Sequence, residues 1–107
     1  MIDEQEVEAA VDWLRDTAKE AAQKRAERLY LDEYRKVLRA KLMKQHIDLP
    51  VSAQEREALA DPTYEEHLKA LKIAIDEDEK MRFLRVAAEA KIEAWRSMNA
   101  NHRAIKV

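Results

Sequence analysis

Both prolines of the 107-residue chain lie in one stretch, residues 47–62, which reads IDLPVSAQEREALADP. Proline lacks a backbone donor and disfavours the α conformation in the residue before it, so Pro50 predicts the end of a helix. Ser52-Ala53-Gln54-Glu55 has the spacing of a capping box and predicts a short helix over about residues 53–60. Asp61-Pro62 predicts the start of the next helix, because aspartate is a good N-cap and proline suits the first helical position.

On either side of this stretch no residue interrupts a helix, because the chain contains no glycine. Upstream, apolar residues recur every three or four positions and predict one helix over about residues 3–46, with Asp3 as its N-cap. Downstream, the pattern predicts a helix over about residues 62–98 that frays through Asn99-Ala100-Asn101. We therefore expect a single all-α domain over residues 1–107.

Two long helices joined by a compact connection predict an antiparallel helical hairpin with coiled-coil packing. If His46 lies opposite Pro62, residues whose numbers add to about 108 face each other across the hairpin. This register predicts that Trp13 lies beside Trp95. It also predicts a close seam of small residues, formed by Ala18, Ala21, Ala22 and Ala26 on one helix and Ala87, Ala88 and Ala90 on the other.

The last helix has two apolar lines beyond Lys80. The first line consists of Met81, Leu84, Ala88, Ile92 and Trp95, and the second consists of Phe83, Ala87, Ala90, Ala94 and Met98. One partner helix cannot cover both lines. Either the short helix packs over one of them, or two hairpins associate; we expect the second arrangement, a helical-bundle dimer, because a two-helix core of this size is small.

The composition predicts a folded cytoplasmic protein with no membrane span. Hydrophobic residues make up 47% and charged residues 39% of the chain, the net charge is -2, and cysteine is absent. The acidic start, Met1-Ile2-Asp3-Glu4-Gln5-Glu6, is unlike a signal peptide, and no apolar run approaches the roughly 18 residues of a membrane helix.

The residues that commonly carry catalysis or bind metals are poorly placed. None of the three histidines, His46, His67 and His102, follows a glutamate by three positions or forms a His-x-x-x-His pair, so we expect no metal site. The acids Asp76-Glu77-Asp78-Glu79 point in four directions on a helix and indicate a solvated face. With no cysteine and only two serines, we predict no catalytic residue, no cofactor and no enzymatic activity.

Two surfaces are candidates for binding. A basic stripe with interleaved aromatic residues could follow phosphates and stack bases; it consists of Tyr30, Tyr34, Arg35, Lys36, Arg39 and Lys44. Alternatively, these cations pair with Asp61, Glu65 and Glu66 across the hairpin, and an isoelectric point near 6.0 is low for a DNA-binding domain. The second candidate is a partner-binding patch of Trp13, Trp95 and Met98 near the open end of the hairpin, although tryptophans at such positions also form cores.

Three stretches carry a resemblance that extends over most of the chain. They are Leu29-Tyr30-Leu31-Asp32-Glu33-Tyr34-Arg35-Lys36, Ala60-Asp61-Pro62-Thr63-Tyr64-Glu65-Glu66-His67-Leu68 and Ala90-Lys91-Ile92-Glu93-Ala94-Trp95-Arg96. In overall pattern they resemble small helical proteins encoded in bacteriophage and prophage genomes. Because such proteins tend to be encoded among early or DNA-metabolism genes, the resemblance implies an accessory role in replication or recombination in the host-cell cytoplasm, and it carries over no functional residue.

Together these observations predict a non-enzymatic helical interaction or adaptor protein that binds itself and another protein. The alternative is a protein that binds nucleic acid directly through the basic stripe.

Overall fold

A computed structural model describes residues 1–106 of the chain. Four helices follow one another: α1 (Glu4–Asp16), α2 (Ala18–Lys44), α3 (Val51–Ala60) and α4 (Pro62–Lys106). Over these residues the chain forms no strand. The predicted all-α fold class is confirmed, with α3 as the short helix that connects α2 to α4. The helical-bundle dimer stays a prediction.

The predicted starts of α1 and α4 are confirmed. The Asp3 carboxylate accepts a hydrogen bond from the Glu6 backbone N–H at 2.9 Å, and the Glu6 carboxylate accepts one from the Asp3 backbone N–H at 2.9 Å. The Asp61 carboxylate accepts from the Thr63 backbone N–H at 2.8 Å, and Pro62 is the first residue of α4. Both aspartates thus satisfy donors that a helix leaves free in its first turn.

The predicted capping box of α3 is wrong. The helix begins at Val51 with Pro50 as its N-cap, and no side chain caps it. The Gln54 backbone N–H donates to the Pro50 carbonyl at 2.9 Å, while the Gln54 side-chain amide donates to the Leu49 carbonyl at 2.8 Å. Because the helix starts earlier than predicted, Ser52 lies inside its first turn and cannot act as the cap.

The first long helix is interrupted at Thr17, where the sequence predicted continuity. The Thr17 hydroxyl donates to the Trp13 carbonyl at 2.6 Å, and the backbone of Thr17 has φ −99° and ψ 2°. A threonine that bonds back to the carbonyl four residues earlier competes with the helical ladder. The backbone N–H of Thr17 still donates to the Trp13 carbonyl at 3.0 Å, and that of Ala21 donates to the Thr17 carbonyl at 2.9 Å, so the interruption is confined to this one residue.

The far ends of the long helices also differ from the prediction. Helix α2 ends at Lys44, and α4 continues through Lys106 rather than fraying after Met98. The two asparagines at positions 99 and 101 are modest helix formers, each less favourable than alanine by under about 1 kcal/mol. With no glycine or proline beyond them, they do not end the helix.

The chain divides into two compact units, and helices α2 and α4 contribute to both. The first unit combines residues Met1–Ala22 with the part of α4 from Glu79 onward, and the second unit is Gln23–Asp78. The core of the second unit contains the buried residues Leu38, Leu42, Ala58 and Tyr64, with Tyr34 and Met43 packed against them. Through Ala58, which is fully buried, α3 packs onto the end of α2 and the start of α4.

The helices of the second unit are antiparallel, but their register differs from the prediction. Tyr64 packs with Leu38 and Leu42, so α4 begins beside these residues and not opposite His46. Farther along, the His67 ring lies 2.7 Å from the Leu31 carbonyl. The predicted register is wrong because α3 occupies the space at the end of α2 and shifts the start of α4 along it.

The inward-facing residues of α4 follow a regular spacing of alternately three and four positions. The buried and half-buried residues of this series are Tyr64, His67, Leu71, Ala74, Asp78, Met81, Arg85, Ala88, Ile92 and Trp95. In the first unit, Arg85 donates to the Leu14 carbonyl and to the Thr17 hydroxyl, each at 3.0 Å. A charged side chain in the series thus binds the carbonyl end of α1, where helical carbonyls lack partners.

The predicted alanine seam is wrong. Only Ala21 and Ala88 are half-buried, and the remaining alanines of the predicted seam are exposed: Ala18, Ala22, Ala26, Ala87 and Ala90. The spacing of three and four directs Ala88 inward and therefore directs its neighbour Ala87 outward.

Candidate interaction surfaces

The predicted basic stripe is divided between two flanks of α2. Successive residues of an α-helix are separated by about 100°, so Tyr30 and Tyr34 lie on one side of the inward-facing residue Leu38, and Arg35 and Arg39 lie on the other. The Tyr30 and Tyr34 rings stack with their centroids 5.9 Å apart, and the Lys41 ammonium lies 5.8 Å from the Tyr34 centroid. The aromatic and the guanidinium groups therefore do not form one continuous surface.

Tyr34 is already engaged within the fold. Its ring lies 5.6 Å from the His67 ring, centroid to centroid, and packs against the core of the second unit. Tyr30 is exposed. On this flank, Tyr30 is consequently the one predicted stacking residue with an accessible ring.

The other flank forms a shallow pocket of about 210 Å³, which we call the basic pocket. Its lining residues are Arg35, Lys36, Arg39 and Tyr64. Tyr64 is only 8% exposed, and within residues 1–105 its hydroxyl has no hydrogen-bond partner. The Nε atom of Arg35 is buried and also has no partner. The pocket thus combines three cationic side chains with two unused donors.

The acids expected to neutralise the stripe from the opposite helix do not do so. Arg35 pairs with Asp32 at 3.3 Å and Lys36 with Glu33 at 3.5 Å, both within α2. Glu65 pairs with Lys69 inside α4, at 3.7 Å. Over residues 1–105, Arg39 and Lys44 form no ion pair at all. The predicted pairing across the hairpin is therefore wrong, because the shifted register separates the two groups.

Sequence reasoning missed Tyr64 as a member of this pocket. The aromatic ring packs with Leu38 and Leu42 in the core, which brings α4 beside the basic flank of α2. The sequence does indicate that Tyr64 faces inward, because it is the first residue of the inward-facing series of α4. The predicted register, however, gave Tyr64 different neighbours on α2.

A second surface lies on the side of α4 that faces away from the inward series; we call it the outer face. It consists of Phe83, Val86, Ala87, Ala90 and Ala94, all of them exposed, with Phe83 61% exposed. The guanidinium of Arg82 lies 4.5 Å from the centroid of the Phe83 ring and pairs with Glu79 at 2.7 Å. All five residues of the outer face are exposed to solvent in one copy of the chain.

The predicted patch of Trp13, Trp95 and Met98 is partly sequestered. All three residues are half-buried. Among the described residues no ring contact joins Trp13 to Trp95. Trp95 instead lines a cavity of about 360 Å³ on α4 with Arg96, Asn99, His102 and Arg103. A partner-binding role for this patch stays a prediction.

The described residues offer no converging group of three or more histidine, aspartate or glutamate side chains that could hold a metal ion. No helix within residues 1–106 combines the length and the apolar character needed to cross a bilayer. Comparisons with protein-family models, with curated proteins and with solved structures find no match to this chain.

Proposed function

We propose that this chain is a non-enzymatic helical interaction protein that associates with a second copy of itself through the outer face of α4. The observation that carries the proposal is the exposure of Phe83 beside Val86, Ala87, Ala90 and Ala94. A contiguous apolar surface of this kind marks an interaction site in a folded protein. An aromatic residue at its end supplies much of the area that association can bury.

The outer face is suited to a second copy because it is complementary to itself. Phe83, Ala87, Ala90 and Ala94 are spaced by four, three and four residues, as in the seam of a coiled coil. When two α4 helices pack antiparallel about the midpoint of this series, Phe83 of each copy lies opposite Ala94 of the other, and Ala87 lies opposite Ala90. A large side chain then meets a small one at each end of the seam, and the paired alanines in the middle let the two helices approach closely.

The charges beside the outer face favour the same arrangement. In the antiparallel packing, Lys91 lies near Leu84 of the second copy, and Glu93 lies near Val86. No like charges face each other across the seam, and the aliphatic stem of Lys91 can cover apolar surface while its ammonium stays in water. We propose a coiled-coil dimer of hairpins on these grounds.

An adaptor role in phage or prophage DNA metabolism is the further part of this proposal. The resemblance to small phage-encoded helical proteins supports it, and the absence of cysteine suits a cytoplasmic location. In this role the dimer would present its remaining surfaces, among them the patch of Trp13, Trp95 and Met98, to another protein.

Direct binding of nucleic acid is the second candidate, and the unpaired state of Arg39 and Lys44 favours it. The division of Tyr30 and Tyr34 from Arg35 and Arg39 weakens it, because the guanidinium groups then lie on the flank of α2 that carries no stacking ring. Self-association therefore receives the stronger support.

Cysteine variants test the proposed packing, because the natural chain has no cysteine. Ala87→Cys and Ala90→Cys are prepared separately, mixed and oxidised mildly. Since residue 87 lies opposite residue 90 of the second copy, the mixed disulfide should exceed both symmetrical disulfides. Ala26→Cys, also on an exposed face, serves as the control and should form little disulfide-linked dimer under the same conditions. A statistical mixture of the three disulfides, or equal cross-linking of the control, would contradict the packing.

A further inference from the structure

We propose that the basic pocket binds a phosphate group. This site lies on α2 and the start of α4, apart from the outer face, and the inference does not depend on self-association. The argument rests on the unsatisfied donors of the pocket, its charge and the fixed position of Tyr64.

Arg35 supplies the first donor. Its Nη2 atom pairs with Asp32 at 3.3 Å, whereas its Nε atom is buried and has no partner. A buried N–H group without an acceptor is unfavourable, and proteins rarely leave one unmatched. Because this atom does not touch solvent in the observed side-chain position, a phosphate oxygen would reach it after a rotation of the guanidinium and would then satisfy it with a charge-assisted hydrogen bond.

The positive charge of the side chains that line the basic pocket is the second reason to expect an anionic ligand. Arg35 and Arg39 are four residues apart, so their guanidinium groups lie on the same side of α2. Arg39 forms no ion pair within residues 1–105, and no carboxylate lines the pocket. Arg39 therefore supplies unpaired positive charge, and Arg35 and Lys36, which pair with Asp32 and Glu33 within α2, add further N–H donors for the several acceptor oxygens of a phosphate monoester.

Tyr64 makes the pocket a defined site and distinguishes it from a diffuse basic surface. Its ring is held by Leu38, Leu42 and Ala58, and 8% of the residue is exposed. Its hydroxyl can therefore donate to a ligand at little cost in side-chain entropy. The shared ligand chemistry is a terminal phosphate, which either a small phosphomonoester or the 5′ end of a nucleic acid strand can carry.

The test begins with inorganic phosphate added to the full chain at constant ionic strength, observed by NMR. The Arg35 Nε–H resonance, assigned by its disappearance in Arg35→Lys, should shift downfield and saturate with a dissociation constant on the order of millimolar. No shift of this resonance at saturating phosphate would overturn the proposal.

Two further probes distinguish the source of the phosphate. A 5′-phosphorylated pentanucleotide that binds more tightly than both inorganic phosphate and its unphosphorylated counterpart assigns the end of a strand. Equal binding of glycerol phosphate and the phosphorylated oligonucleotide assigns a small phosphomonoester. Equal binding of the phosphorylated and unphosphorylated oligonucleotides would contradict recognition of a terminal phosphate.

Matched variants separate the pocket from general charge. Arg39→Gln and Lys44→Gln each remove one unpaired cation from α2, but only Arg39 lines the pocket. Arg39→Gln should weaken phosphate binding at least about fivefold and Lys44→Gln less than about twofold, because exposed charges outside the site are screened. Tyr64→Phe, which keeps the packed ring, should also weaken binding. Equal losses in Arg39→Gln and Lys44→Gln would show attraction by net charge and overturn the proposal.

Discussion

The Arg28 guanidinium lies 3.1 Å from the Asp78 carboxylate, and the two side chains are 35% and 14% exposed. Asp78 belongs to the inward-facing series of α4, between Ala74 and Met81, where an apolar residue would be expected. A charged pair within a helical seam favours one register, since sliding either helix would leave a partly buried charge without its partner.

Replacing only Asp78 should lower the free energy of unfolding more than replacing Arg28 and Asp78 together with apolar residues. Asp78→Leu removes the carboxylate that pairs with the Arg28 guanidinium and should lower the free energy of unfolding by about 1–3 kcal/mol, whereas Arg28→Met combined with Asp78→Leu should recover part of that loss. Urea denaturation measures the free energy of unfolding of the single and the double variant. Glu93→Ala, which breaks the exposed pair with Arg96, is the control and should change stability by less than about 1 kcal/mol.

The packing at the connection predicts a large difference between two leucines. Leu42 is 5% exposed and belongs to the core with Tyr64, whereas Leu59 on α3 is 51% exposed. Leu42→Ala should destabilise the protein by about 2–5 kcal/mol through the lost burial and the cavity left behind. Leu59→Ala should lower the stability only slightly. The melting temperatures of the two variants test this difference. Similar losses would show that this core does not form as described.

Two alanines distinguish the observed register from the one expected from the sequence. Ala21 is half-buried and Ala26 is exposed, although the predicted seam contained both. Ala21→Leu should lower the free energy of unfolding by about 1–3 kcal/mol through overpacking, while Ala26→Leu should leave the melting temperature nearly unchanged. A marked loss on Ala26→Leu would place that residue between the helices.

Arg85 should stabilise the junction between α1 and α2. Its two hydrogen bonds, to the Leu14 carbonyl and the Thr17 hydroxyl, satisfy acceptors at the end of α1. Arg85→Met keeps much of the aliphatic stem but removes both bonds, and amide hydrogen exchange over residues 14–21 should become faster. Arg82→Met, at an exposed position of α4, is the control. Unchanged exchange at the junction in Arg85→Met would refute this role.

The helix class and most helix boundaries follow from local chemistry that the sequence displays directly. The Asp3 cap and the Asp61-Pro62 start depend on residues within one turn of each other, and the absence of glycine leaves long helices uninterrupted. The interruption at Thr17 was not predictable in the same way, because a threonine within a helix often leaves the helix intact, and the sequence does not display the hydrogen bond from its hydroxyl to the Trp13 carbonyl.

The register and the candidate sites depended on information that the sequence does not display. The prediction placed α4 opposite the end of α2, but Ala58 packs α3 into that space, and the neighbours of Tyr64 and His67 on α2 change with it. As a result, Tyr64 joined Arg35 and Arg39, while the acids expected beside them did not. The outer face was readable from the sequence because it depends only on positions within one helix, with Phe83 and Ala87 on a common line.

Self-association through the outer face is tested most directly by measuring the molar mass in solution. Sedimentation equilibrium at micromolar concentrations should give about 25 kDa for the natural chain, which is twice the 12.5 kDa of one copy. Phe83→Ser should give the monomer mass with an unchanged helical signal, because Phe83 is exposed within one hairpin, while Leu29→Ser, at an exposed residue of α2, should stay dimeric. A natural chain that remains at 12.5 kDa, or a Phe83→Ser variant that remains dimeric, would contradict the account.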